Sequence, residues 1–275
     1  MALTTTLTWL DVNSWQIDLN NLDLEKTDSS SKRILIDPWL VGDLVFNNAP
    51  WLIRGIRPAP VPIPEQIDLI VLSQGLNDHA HPETLKVLDK TIPVVASENA
   101  AGVAKSIGFE SVTTLTPGDE FDLDDSLQIK TLPGSPIGPF LTENAYLLKV
   151  KSTGLTLYYE PHGYPSEALE TIGRVDVVIT PIVTLELPLV GPVIRGSEGA
   201  PELAQLLKPQ LMLPTADGGA VTYTGMISAL LKQKGGLEQV RSQLQSAGLK
   251  AHVEPLKPMQ PFTLAVTPYA AEIPA

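Results

Sequence analysis

Short apolar runs alternate with polar, Gly-rich or Pro-rich turns over the first two thirds of the chain, and helix-like segments join the pattern after that. Apolar runs without a helical period and with turn residues at both ends are typical of buried strands. This pattern predicts strands at 7–10, 15–19, 33–37, 67–72, 94–96, 112–115, 120–123, 127–132, 145–151, 155–159, 175–180, 210–213, 250–254 and 262–266. Apolar residues at helical spacing predict helices at 82–90, 98–107, 200–207, 220–234 and 237–247. Strands first and helix–strand alternation later predict an α/β fold with two sheets packed face to face and helices outside.

The segment 67–85, IDLIVLSQGLNDHAHPETL, carries the densest candidate chemistry. Its apolar start predicts a buried strand, a polar turn follows, and the predicted helix begins near Pro82. Asp78, His79 and His81 lie between the two elements, and they include two of the four histidines. A loop between a strand and a helix exposes such side chains while the rigid elements hold them in place. This segment is therefore the first candidate site.

Four segments together resemble one known family. SQGLNDHAHPETL resembles the Thr-His-x-His-x-Asp-His motif of the metallo-β-lactamase fold, which also follows a buried strand. The segments LTWLDVNSWQID, ILIDPWL and LTLYYEPHG are similar to segments of the UlaG-like, lactonase-like branch of that superfamily, and they come in the same order. The resemblance implies a single domain over 1–275, folded as a four-layer αββα sandwich of two mixed β-sheets flanked by helices.

The metal site that this resemblance implies is degenerate here. Asp78 and His79 match the last two ligands of the motif, but the two upstream histidine positions fall on Gln74 and Leu76. A leucine cannot bind a metal, and an amide oxygen suits Zn²⁺ poorly. Ser135 stands where a further histidine is expected. The first metal subsite of the family is therefore predicted to be lost.

The second subsite is predicted to keep Asp78 and His79, with help from His162 and Asp217. His162 falls where the family places an Asp that bridges two metals, and an imidazole cannot bridge as a carboxylate does, which favours a single-metal site. Ala216 lies nearest to the family's last histidine position, and its neighbour Asp217 could supply that ligand. The predicted cofactor is at most one divalent ion, Zn²⁺, Mn²⁺ or Fe²⁺, and the alternative of no metal stays open.

The same residues also have structural interpretations. Asp78 suits an Asx turn or a helix cap, and Asp217 suits the N-cap of the helix predicted at 220–234. His162 could pack or cap at the end of its strand. For His81 the position before a proline and a helix predicts a surface role or a place behind the ligands.

Composition narrows the function classes. The 275 residues, 43% of them hydrophobic, can bury a full core within one domain. The chain has no cysteine, which excludes disulfides and thiolate ligands. A net charge of -12 without a Lys/Arg cluster argues against binding to nucleic acid or to an anionic membrane surface. No segment reaches the ~18–20 apolar residues of a membrane span, and the first residues lack a signal-peptide pattern, so a cytoplasmic location is predicted.

Two apolar segments are predicted to form a ligand pocket. One is the Pro-rich stretch 42–64, and the other is 185–194. With the basic groups beside them they suit a small molecule that has an acidic head, whereas ordinary loop packing or a contact in a homo-oligomer explains them equally well. The side chains predicted to bind the substrate are Gln74, Trp51, Arg54, Glu160 and Arg195.

The predicted function is hydrolase-type, namely cleavage of an ester, lactone or phosphodiester, as the resemblance implies. Where the metal site is weakened, Asp78 could act as a general base on water, with His79 or His162 as the acid. A serine-hydrolase mechanism is not supported, because no Gly-x-Ser-x-Gly elbow occurs. The alternative from another class is a non-catalytic ligand-binding or regulatory protein that retains the fold without metal.

Overall fold

The computed structural model describes residues 3–21, 31–137, 141–216 and 219–269. Its strands are β1 Leu3–Trp9, β2 Trp15–Asn21, β3 Lys32–Ile36, β4 Leu44–Val45, β5 Arg54–Ile56, β6 Leu69–Leu72, β7 Val94–Ala96, β8 Val112–Thr114, β9 Glu120–Leu123, β10 Leu127–Ile137, β11 Leu141–Val150, β12 Thr156–Tyr159, β13 Val177–Thr180, β14 Val183–Leu187, β15 Gly191–Arg195, β16 Leu211–Pro214, β17 Thr222–Thr224, β18 Lys232–Gly235, β19 His252–Val253 and β20 Pro261–Thr263. The helices are α1 Pro82–Val87, α2 Glu98–Ile107, α3 Gly196–Leu207, α4 Met226–Leu230 and α5 Leu237–Ser246, with a 3₁₀ helix at Glu167–Thr171.

Contacts divide the chain into two compact units. The first unit comprises Met1–Leu115, Gly219–Tyr223 and Lys257–Ala265. The second comprises Thr116–Gly218, Thr224–Leu256 and Val266–Ala275. The single domain expected over 1–275 stays a prediction.

A seven-stranded mixed sheet forms the first unit, in the order β20-β1-β2-β3-β6-β7-β8. The strands from β20 to β3 are antiparallel neighbours, whereas β3, β6, β7 and β8 run parallel. Parallel neighbours need a crossover connection, and α1 and α2 supply it between β6, β7 and β8. The first hairpin pairs Trp9 with Trp15 around a turn that contains Asn13, as the sequence predicts.

Helices α1 and α2 bury their apolar faces on this sheet. Leu85 and Ala104 from the helices join Ile70 and other strand residues in one cluster of buried side chains. Helix α2 ends at Gly108, whose φ of 103° lies in the left-handed region that ends many helices. The end of the helix predicted at 98–107 is therefore confirmed.

The second unit repeats this plan. Its seven-stranded sheet has the order β19-β16-β13-β12-β11-β10-β9, antiparallel from β9 to β12 and parallel from β12 to β19. Helices α3 and α5 cover one face through residues such as Leu203 and Val240. Two large mixed sheets with helices confirm the predicted α/β class and agree with the αββα sandwich. Among the helices of the described residues, none is long and apolar enough to cross a membrane.

The helix predicted at 220–234 is wrong. Strand β17 joins β5 and β4 in a small sheet, α4 is a short helix, and β18 joins β14 in another small sheet. Gly225 with a φ of 106° separates β17 from α4, and a helix cannot continue through that conformation. The apolar segment 185–194, which was not predicted to contain strands, contributes to the β14–β15 hairpin.

His81 caps helix α1 from a buried position. Its Nδ1 accepts a hydrogen bond from the backbone N–H of Thr84 at 3.2 Å, and His81 as a whole is 2% exposed. Pro82 follows at the first helical position, where its missing N–H costs nothing. The surface role considered for His81 is therefore wrong, and the ring is part of the helix start.

We expect this cap to make stability sensitive to acid. Burial lowers the pKa of His81 below its ordinary value, because the charged ring is poorly solvated there. The neutral ring is also the form in which Nδ1 can accept the Thr84 N–H. The unfolded chain therefore binds this proton first, and the stability from the cap is complete above about pH 6.5 and declines as the pH falls below it. Urea unfolding of wild type and His81→Asn between pH 7.5 and pH 5 should show a steeper loss for wild type. Parallel pH profiles of the two proteins would contradict the prediction.

Candidate functional site

The densest polar network of the first unit surrounds His79. Asp37 follows β3 and Ser73 follows β6, so two parallel neighbouring strands deliver them to the same sheet edge. The Asp37 Oδ2 atom lies 2.7 Å from His79 Nδ1 and accepts the Ser73 hydroxyl at 2.5 Å. The backbone N–H of Ser73 donates to Asp37 Oδ1 at 2.7 Å. All three residues are 0% exposed, so the orientation of the imidazole is set by a buried carboxylate.

The other ring nitrogen of His79 faces a second carboxylate. Its Nε2 atom lies 3.3 Å from Asp78 Oδ2 and 3.1 Å from Asn13 Nδ2, which comes from the turn between β1 and β2. Although burial lowers the pKa of His79, the charges of Asp78 and Asp37 raise it well above its ordinary value. The Asp78 side chain is 21% exposed, whereas that of His79 is 0% exposed. Within this pair, Asp78 is therefore the residue that solvent can reach.

A buried cluster of acids and one histidine lies in the second unit. His162 Nδ1 is 2.6 Å from Glu143 Oε2, and both glutamates of the cluster, Glu143 and Glu160, are 0% exposed. Each of the three residues offers a ligand atom, and these atoms all lie within 4.8 Å of one another. Glu143 comes from β11, while Glu160 and His162 follow β12, the neighbouring strand.

Glu160 also organises the loop that carries His162. Its carboxylate accepts the backbone N–H groups of His162 at 3.1 Å, Gly163 at 2.5 Å and Tyr164 at 2.9 Å. Burial and the charge of Glu143 raise the pKa of Glu160 to about 7, while His162 and these N–H groups act in the opposite direction. Within the second unit, the carboxyl groups of Glu143 and Glu160 and the imidazole of His162 thus form one buried cluster.

The family of the chain follows from its sequence. Residues 6–216 match the model of the beta-lactamase superfamily domain. The chain belongs to the beta-lactamase superfamily. Membership of its UlaG-like branch stays a prediction. No curated protein matches the sequence.

Solved structures of similar fold include several hydrolases. A metallo hydrolase, Igni18, from the archaeon Ignicoccus hospitalis is 18% identical, with a TM-score of 0.64 over 96% of this chain and 99% of that chain. The isothiocyanate hydrolase from Delia radicum gut bacteria is 16% identical, with a TM-score of 0.65 over 96% and 100%. A possible metal-dependent hydrolase from Veillonella parvula is 13% identical, with a TM-score of 0.66 over 96% and 100%. At such identities the likeness shows the fold alone.

The superfamily implies a metal ion, and the residues present fit one in donor chemistry. In the second unit, two buried carboxyl groups and an imidazole provide the oxygen and nitrogen donors that a divalent ion takes as ligands. In the first unit, His79 is held through Nδ1 by Asp37 while Nε2 faces Asp78, an arrangement in which ligating histidines commonly occur. Glu143 escaped the sequence analysis, because a single Glu within a strand-like segment carries no signal of its own.

The positions where the superfamily's histidines are missing differ in their exposure to solvent. Gln74 is 2% exposed, and its Oε1 has no hydrogen-bond partner among the residues that the structure describes. Leu76 is 44% exposed, and Ser135 is 7% exposed. Ala216 has a φ of 56° after β16, and the predicted ligand Asp217 lies outside the described residues.

The residues predicted to contact a substrate have different surroundings. Trp51 is 68% exposed. Arg54 donates to Asp43 Oδ2 through Nε at 2.7 Å. Arg195 lies with its guanidinium carbon 5.2 Å from the ring centre of Tyr164. Of this predicted set, Trp51 is the side chain most open to solvent, whereas Gln74 and Glu160 are buried.

Proposed function

We propose that the protein is a hydrolase that cleaves an ester, a lactone or a phosphodiester and uses at most one divalent metal ion. The superfamily membership, the fold of metallo-hydrolases and the buried groups of His, Asp and Glu support a hydrolase-type role. The proposed substrate is a small molecule. The cytoplasmic location and the homo-oligomer remain predictions, as does the absence of nucleic-acid binding.

The observation that carries this proposal is the chain Asp37–His79–Asp78. The buried Asp37 carboxylate orients the ring of His79 through Nδ1, and Nε2 in turn faces Asp78. Because only Asp78 of the three is reached by solvent, Asp78 is the residue that meets water and accepts its proton. His79 is fully buried, so we assign it a positioning role on Asp78 instead of contact with the substrate.

Two groups carry the proposed metal ligands, and each group lies within one unit: Asp78 and His79 belong to the first unit, and His162 belongs to the second. When bound, a divalent ion lowers the pKa of water and polarises a carbonyl or phosphoryl oxygen. Asp217 stays in the proposal as a further ligand. For the substrate we propose contacts with Gln74, Trp51, Arg54, Glu160 and Arg195, in which the buried Oε1 of Gln74 accepts a hydrogen bond.

A second candidate function is a binding protein without catalysis. It is favoured by the histidine ligands that the superfamily has and this chain lacks, at Gln74, Leu76 and Ser135. Metal analysis separates the two candidates. Protein purified without chelator should contain about one metal ion per chain, and His79→Ala and His162→Ala show which group is needed to hold it. Wild type that stays metal-free after incubation with Zn²⁺ and Mn²⁺ favours the binding protein.

The variant Asp78→Asn tests the catalytic proposal. We expect kcat/KM on a hydrolysed ester, lactone or phosphodiester to fall by about 100-fold or more, because an amide cannot accept the proton of water. The matched control is Asp89→Asn, an exposed turn residue whose side chain accepts the Thr91 N–H at 2.9 Å and whose Asn replacement keeps that acceptor. Equal rates for Asp78→Asn and wild type, on a substrate that wild type hydrolyses, would refute the role of Asp78.

A further inference from the structure

Strands β10 and β11 are out of regular register beside the acidic cluster. Pro133 pairs with Asn144 and Pro136 pairs with Thr142, so two residues of β10, Gly134 and Ser135, oppose Glu143 alone. Such a bulge re-aims side chains and is frequent beside functional sites. Ser135 is the position at which the superfamily resemblance expects a metal-binding histidine. Glu143 therefore lies across the ladder from a lost ligand.

Strands β10 and β11 approach each other closely at this bulge. A Cβ atom added to Gly134 would lie 3.0 Å from the carbonyl oxygen of Glu143. Ser135 is 7% exposed and Glu143 is 0% exposed, so both point into protein. The Glu143 carboxylate reaches His162 at 2.6 Å, and Glu160 completes a group whose ligand atoms lie within 4.8 Å of one another.

The neighbouring hydroxyl of Tyr158 is independent evidence that this group binds something from outside the chain. Tyr158 is 0% exposed, and its hydroxyl has no hydrogen-bond partner among the described residues. Tyr158 lies on β12 and Glu160 directly follows that strand, so the two side chains, two positions apart, lie on the same side of the extended chain. Burial, and after it the charges of Glu160 and Glu143, raise the pKa of the Tyr158 hydroxyl well above its ordinary value. A buried hydroxyl without a partner lowers stability, and a bound group beside the carboxylates would provide the missing partner.

We propose that Glu143 replaces, from the facing strand, the ligand that Ser135 lacks, and that Glu143, Glu160 and His162 hold the protein's divalent cation. The exchange of imidazole for carboxylate shifts the preference of the site from Zn²⁺ toward Mn²⁺, since carboxylate oxygens suit Mn²⁺ and imidazole suits Zn²⁺. This inference rests on the proposed function for the presence of one metal ion, but metal binding is measured here without any substrate.

The experiment is equilibrium dialysis of chelator-stripped, full-length protein against Mn²⁺ and against Zn²⁺, with the bound metal quantified. Wild type should bind about one ion per chain, and Glu143→Gln should weaken Mn²⁺ binding by about 100-fold or more. Glutamine has the same shape and can still accept a hydrogen bond from His162, so the metal-free variant should keep the wild-type melting temperature. The control is Glu120→Gln, a glutamate of the same sheet that pairs with Lys130 at the surface.

The double variant Ser135→His with Glu143→Gln tests the exchange itself. We expect it to bind metal again and to raise the ratio of Zn²⁺ to Mn²⁺ affinity by about 10-fold over wild type. Should Glu143→Gln not fold, Glu143→Asp keeps the charge on a shorter side chain and should bind Mn²⁺ at least about 10-fold more weakly than wild type.

The outcomes separate this inference from the proposed function. Wild-type affinity in Glu143→Gln or in Glu143→Asp would overturn the role of Glu143, even if the protein hydrolyses esters. A wild type that binds neither ion would overturn the whole site. Metal binding that is lost in Glu143→Gln, in a protein that hydrolyses no ester, lactone or phosphodiester, would support the site while refuting the hydrolase.

Discussion

Replacing Asp37 with alanine is expected to lower the free energy of unfolding by about 3–5 kcal/mol. The carboxylate is fully buried. It forms hydrogen bonds of 2.5–2.7 Å with the backbone N–H of Ser73, the Ser73 hydroxyl and the Nδ1 atom of His79. Its loss leaves these groups buried without that acceptor. Asp37 also has a φ of 44°, a conformation that Asp tolerates better than Ala. A domain has about 5–15 kcal/mol of stability in total, so this variant should be marginally folded.

Urea unfolding followed by circular dichroism measures this effect. Asp37→Asn should lose less, because the amide oxygen can still accept the Ser73 N–H and Asn tolerates positive φ. Asp89→Ala is the surface control, and its stability should change by less than about 1 kcal/mol. A loss below about 1 kcal/mol in Asp37→Ala would show that the buried network around His79 does not stabilise the first unit.

The second large effect is expected at Gly199 in the first turns of α3. A Cβ atom added there would lie 2.0 Å from the carbonyl oxygen of Gly163 and 2.6 Å from its carbonyl carbon. These atoms are backbone, and Gly163 itself, with a φ of 77°, packs against the backbone of Arg195. Neither side can move aside as a flexible side chain would. We expect Gly199→Ala to cost about 3 kcal/mol, the upper part of the range for overpacking.

The variant should also disturb the loop that carries the acidic cluster. Gly163 follows His162 directly, and its N–H is held by Glu160. We therefore expect Gly199→Ala to weaken metal binding in dialysis as well as to lower the melting temperature. The matched control is Gly102→Ala in α2, where an added Cβ meets nothing within 4 Å. That substitution should stabilise the protein by about 0.5–1 kcal/mol, as expected for Gly to Ala within a helix. Equal melting temperatures for the two variants would contradict the predicted clash.

Strand and helix periodicity predicted most of the elements, because apolar runs and turn residues record which backbone segments are buried. The predictions that were wrong concern elements whose pairing partners are distant in sequence. At 220–234 the apolar spacing suits a helix, yet β17 pairs with β5 and β18 pairs with β14. Tertiary pairing thus overrode local propensity, with Gly225 as the break.

The sequence by itself determined the superfamily, the α/β class and the chemical identity of the residues in the Asp78-His79 segment. These are properties of local pattern and residue type, which do not depend on knowing the fold in advance. The motif also showed which histidine ligands are absent, since a leucine or serine can be read directly from its position.

Only the tertiary structure decided how these residues are used. Asp37 and His79 are 42 positions apart and meet because β3 and β6 are parallel neighbours. Glu143 and His162 are 19 positions apart and meet through the pairing of β11 with β12 and the turn after it. The hydrogen bonds between such residues, and their burial, depend on strand order and register. A local pattern of hydrophobic and polar residues does not specify which distant carboxylate will face a given imidazole.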